Sequence, residues 1–127
     1  MSMYRYEDKV DELIKHFWKN GYMTVSRKFG KYLPAPKPVG SYQVDAVGKY
    51  KRKYVLGLNL TEEELNDSQI YSKIKFLSSR KTKFSNYKVT LYLGVPAVSI
   101  KKARAIVATL GEDVQRNIKI IPLPSKK

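Results

Sequence analysis

Residues 88–96, KVTLYLGVP, place apolar side chains at successive positions, so a strand there is apolar on both of its faces. Such a strand needs cover above and below, which makes it a central strand buried under helices in a layered α/β fold. Helical segments lie to either side of it. Val10, Leu13, Ile14, Phe17 and Trp18 recur at helical spacing and predict an amphipathic helix over Tyr6–Lys19, stopped by Asn20-Gly21. AVSIKKARAIVATLG predicts another, with Ile100, Ala103, Ile106, Val107 and Leu110 on one face and Gly111 as its end.

Other segments complete the order. YMTVSRKF alternates like a strand, with Met23, Val25 and Phe29 on one face. GKYLPAPKPVGS is a loop, because three prolines and two glycines continue neither helix nor ladder. Its prolines stiffen it, as suits a positioned binding loop. VDAVGKYKRKYVLGLNL reads as two short strands joined by a cationic turn, with Asp45 facing the side of Gln43. Thr61 and Glu64 form a capping box ahead of Leu65, Ile70, Ile74 and Leu77, a helical stripe interrupted near Asn66-Asp67. IKIIPLP is a last strand, stopped by Pro122 and Pro124. The expected order is α-β-β-β-α-β-α-β in one domain over residues 1–127, with a frayed tail at 124–127.

Charge narrows the partners. There are 25 Lys and Arg against 11 Asp and Glu, a net +14, and between Glu12 and Glu62 the single acid is Asp45. A long basic stretch of that kind suits a polyphosphate, so DNA is the expected partner, RNA the alternative, and a membrane is not expected. Without cysteine there is no disulfide framework and no thiolate chemistry. No apolar run approaches the ~20 residues that span a bilayer, and the first residues lack the apolar core of a signal peptide. A cytoplasmic protein is expected.

This order, with VDAV on the second strand, resembles the PD-(D/E)xK, or restriction-endonuclease-like, nuclease superfamily, and within it the archaeal Holliday-junction resolvases. DELIKHFWKNGY looks like that branch's opening helix ending in a Gly-aromatic pair, and KYVLGLNL occupies the place of its strand bearing EVK. The similarity covers residues 4–60. It implies a mixed central sheet flanked by helices, and a site where carboxylates on adjacent strands hold Mg²⁺ or Mn²⁺ that activates water, with a lysine offsetting developing charge. Carried over residue by residue, Asp45 matches the first carboxylate and is the metal candidate, while Gly57 stands for the second acid and Asn59 for the lysine. The helix acid falls at Val10. A rearranged site would draw on Glu7, Asp11 and Glu12, with Asp8 pairing Glu12, Lys49, Lys51 or Lys53 for the lost lysine, and Glu62 to Glu64 nearby. The bland reading is that acids in the first helical turns favour the macrodipole. With no metal site, no cofactor is expected; with a rearranged one, Mg²⁺ or Mn²⁺ is. His16 pairs with Glu12 on the helix surface, and Phe17 and Trp18 serve the core or a homodimer interface.

The expected phosphate contacts are Arg27, Lys28, Lys31, Lys37, Lys49, Lys51, Arg52 and Lys53, with a second cluster at Arg80, Lys81, Lys83 and Lys88 and a third at Lys101, Lys102 and Arg104. Tyr32, Tyr42, Tyr50 and Tyr87 are interleaved with them, for stacking on bases or for packing. Three functions follow: a nuclease-fold protein that binds DNA by backbone and shape without cutting it, an active metal-dependent endonuclease with a rearranged site, or a non-catalytic subunit of a nucleoprotein assembly. KFGKY after NGYMTV is faintly similar to tRNA-splicing endonucleases, but the histidine their catalysis needs has no counterpart after His16.

Overall fold

Helix α1 (Tyr6–Lys19) forms over the expected segment and buries Val10, Leu13, Ile14 and Phe17, while Trp18 is 67% exposed. The computed structural model describes residues 6–80 and 89–123, with side chains from Asp8 onward in the first segment. Lys81, Lys83, Tyr87, Lys88 and the 124–127 tail lie outside the described residues.

Gly21 takes φ +87 and turns the chain into β1 (Met23–Arg27), followed after the proline-rich loop by β2 (Ala46–Tyr50) and β3 (Lys53–Asn59). Helices α2 (Glu62–Leu65) and α3 (Ile70–Ser78) lead to β4 (Thr90–Pro96). One turn of 3₁₀ helix, α4 (Ile100–Ala108) and α5 (Glu112–Gln115) lead to β5 (Ile118–Leu123). The sheet has five strands in the order β1-β2-β3-β4-β5. Its first three strands pair antiparallel, and β4 and β5 run parallel to β3.

Alternation along β3 and β4 divides the core. Val55 and Tyr92 face α1 and pack with its apolar stripe. Leu56, Leu58, Leu91, Leu93 and Val95 face α3 and α4, where Ile74, Leu77, Ala103 and Ile106 cover them. The two-sided apolar pattern of residues 88–96 thus has the cover it requires.

The interruption expected near Asn66-Asp67 divides the stripe into two helices: the capping box starts α2, and Asp67 accepts the Gln69 amide ahead of α3. Three expectations are corrected. Another short helix, α5, precedes the last strand. In β1 the buried residue is Thr24, whereas Met23 and Phe29 are 70% and 52% exposed. Strand β1 lies at the sheet edge with a register shift between Thr24 and Ser26, and Phe29, at φ +61, is already in the following turn. Pro122 does not stop β5, which continues to Leu123; β5 is the other edge, where a missing N–H costs no ladder bond.

Candidate nucleic-acid interface

Asp45 lies just before β2, and its side chain is 2% exposed. Val44, Asp45 and Ala46 are buried in succession while Gln43 is exposed. One carboxylate oxygen accepts the backbone amide of Asn59 at 2.7 Å. The other lies 3.3 Å from the Lys28 ammonium, whose side chain is 31% exposed. The Lys28 amide also bonds to the Asp45 carbonyl at 2.9 Å. A carboxylate this deep needs charged or hydrogen-bonded partners, and both kinds are present.

Positions 57 and 59, where the resemblance led to an acid and a lysine being expected, differ in what surrounds them. A side chain starting at Gly57 would place its Cβ 3.0 Å from both Leu13 and Phe17 of α1, so the position is filled by the helix. Asn59 is buried over Gly94, and neither atom of its carboxamide has a hydrogen-bond partner among the described residues. Val10, at the place of the helix acid, is fully buried in the α1 cluster.

The acids of a rearranged site are engaged elsewhere. Asp11 meets the Arg27 guanidinium at 2.7 Å, and Glu12 lies 3.6 Å from Lys15. The Glu7 side chain is outside the described residues. Among those described, no three acids or histidines form a group that could hold a metal ion. Mg²⁺ requires several anionic oxygens or substrate phosphates. One carboxylate already shared by an ammonium and an amide, beside a neutral carboxamide and an apolar plug, does not fit that ion.

Strand polarity sorts the cations into two groups. Arg27 pairs in register with Ala46, so Arg27 and Lys28 lie at the Asp45 end of the sheet. Lys31 and Lys37 are exposed on the loop that follows. That loop is anchored at Gly40, whose φ of +63 and missing Cβ allow the Phe76 ring to sit against it. Lys101, Lys102 and Arg104 are exposed on α4, whose start follows the carboxyl end of β4. Lys49, Lys51, Arg52 and Lys53 lie at the opposite end, on the tip of the β2–β3 hairpin. These lysines are therefore not near Asp45 and cannot replace a catalytic lysine there. Arg80 belongs to the hairpin end, since its carbonyl takes the Val89 amide at the start of β4. Its guanidinium lies 4.2 Å from the Phe76 ring centroid, and Phe76 in turn packs on Tyr42.

The hairpin tip is narrow. Tyr50 pairs with Lys53, leaving Lys51 and Arg52 as a two-residue loop. Lys51 has φ +54, a value at which glycine is the usual occupant of such loops. The Lys51 ammonium lies 5.5 Å from the Tyr50 ring centroid, and Lys49 lies 5.5 Å from that of Tyr54. Tyr50 is 48% exposed, and Tyr32, on the proline-rich loop, is 96% exposed.

Lys28 was legible as a cation but not as the partner of Asp45. The available signal was Asp45 itself, an acid between apolar Val44 and Ala46 in a stretch whose other charges are basic. A pocket of about 340 Å³ between α1, β1 and Leu33 also had no sequence signature; Thr24 and Ile14 line it, and the Asp11–Arg27 pair borders it. On the α1 face of β4, burial pushes the Tyr92 phenol up to about 12, and the Tyr22 phenol beside it adds to the rise. No helix among the described residues is long and apolar enough to cross a membrane. No family model, curated protein or solved structure matches this chain.

Proposed function

We propose that this chain is a DNA-binding protein on a restriction-endonuclease-like frame, which holds DNA through its backbone and shape and does not cut it. The observation that carries the reading is the Asp45 site. Its topology agrees with a nuclease frame, one α-helix before an antiparallel three-strand meander that continues into parallel crossovers. Its chemistry does not agree with metal-dependent cleavage, because Lys28 supplies the positive charge beside Asp45 and α1 fills position 57. The exposed cations on the proline-rich loop, the hairpin and α4 support phosphate binding without base reading.

A cleavage assay on four-way junction, duplex and single-stranded DNA with Mg²⁺ or Mn²⁺, with gel shifts on the same samples, tests this. The expected result is a salt-sensitive shift with no cutting. Metal-dependent cutting that disappears in Asp45→Asn would replace this reading with that of an active endonuclease.

A further inference from the structure

We infer that the β2–β3 hairpin tip is a pin for branched DNA, in which the Tyr50 ring stacks on the base exposed where two strands diverge, while Lys51 and Arg52 hold the flanking phosphates. The inference rests on the proposed DNA binding and names the DNA structure that is preferred.

Three observations converge on the tip. First, every residue from Lys49 to Lys53 is exposed, so the hairpin ends beyond the packed core. Second, the aromatic ring and the cations are held together, with the Lys51 ammonium 5.5 Å from the Tyr50 centroid. Third, Lys51 occupies a left-handed backbone position at φ +54, where glycine would be less strained. A charged side chain stands at the apex of the turn despite that strain.

The chemistry of the two groups differs in what it selects. Cations attract phosphates of any DNA. An exposed ring gains only from an unstacked base face, and intact duplex offers none along its length. Branches and forks offer one between two diverging strands of phosphate, which a blunt end does not. The combination therefore selects DNA where stacking is interrupted beside two strands of phosphate. The tip also lies at the far end of β2 from Asp45, about 17 Å away at ~3.4 Å per residue, so binding there is independent of the Asp45 site.

The test uses the full chain with a forked duplex, a blunt duplex of equal length and charge, and a single strand, each titrated over a range of salt. A 2-aminopurine at the branch reports stacking. The wild type is expected to bind the fork about 10-fold more tightly than the blunt duplex, a preference of the size that one stacked base supplies. Tyr50→Leu should abolish the preference and the 2-aminopurine change while leaving duplex affinity within about 2-fold, and Tyr50→Trp should restore both. Lys51→Gly relieves the turn and removes its charge, so it should weaken binding to all three DNAs and lower the salt slope by about 1. Circular dichroism confirms that each variant is folded.

Equal binding of fork and duplex, with normal salt dependence, would overturn the pin and leave the proposed DNA binding standing. So would a fork preference that survives in Tyr50→Leu. No binding to any of the three at low salt would overturn both.

Discussion

Lys28 and Asp45 are unequal partners, because the ammonium has a path to water and the carboxylate does not. Removing the cation leaves a buried anion with one partner fewer; removing the anion leaves a cation that can turn to solvent. Lys28→Met is therefore expected to cost about 2 kcal/mol and Asp45→Asn about 1 kcal/mol, below the range for fully buried pairs because Lys28 is partly solvated. Urea denaturation checks the order, and equal losses would count against the argument. Gly94 offers a second residue-level test. A Cβ there would collide with the Asn59 amide oxygen, so Gly94→Ala should destabilise the chain, and Asn59→Ala in the same molecule should recover part of the loss. Leu123 also lies 3.2 Å from that Cβ position, which limits the recovery.

At the level of elements, the hairpin opposes stability to binding. Lys51→Gly should raise unfolding free energy by about 0.5–1 kcal/mol, since glycine takes φ +54 without strain, while weakening the grip on DNA. A variant that gained stability and kept full affinity would mean that the turn does not touch DNA. The elements also show where sequence was informative. Helix α1 was legible to its end residues because its apolar period and its Asn-Gly stop agree. The hairpin strands and the proline-rich loop were legible for the same kind of reason, a local signal that tertiary packing did not oppose. Strand β1 was misread on its buried face because its position at the sheet edge lies in the topology and not in its five residues. Pro122 was misread likewise: a proline is a breaker or an ordinary strand residue according to which neighbour its nitrogen faces. The Asp45 site was half legible. Its acid stood out, but the lysine that meets it is 17 positions away in sequence, among many similar cations.

Across the whole molecule, cations lie at both ends of the sheet. Arg27, Lys28, Lys31 and Lys37 share the Asp45 end with the acidic start of α1 and the acidic α2, and the hairpin cations lie at the other. An anionic partner is thereby attracted to more than one face, and association should slow as salt rises. Alkaline pH probes the core rather than this surface. Tyr92 keeps its proton more tightly when folded than when unfolded, so its contribution is fully present below pH 10 and is lost as pH rises from about 10 through about 12. Two pH units correspond to about 2–3 kcal/mol. Tyr92→Phe should flatten that part of the stability profile, read as the difference between the two proteins by thermal or urea unfolding across the range.

Gly57 has a consequence for what substitution can reach from here. Leu13 and Phe17 occupy the space above it, so an acid introduced at 57 meets two large core side chains before it meets any ligand. Shrinking those side chains first would open cavities under α1, and each such step lowers fitness if stability is selected. The position is closed to stepwise change: any side chain added at 57 has to displace α1 first, so an acidic site beside Asp45 is more easily built elsewhere on the sheet.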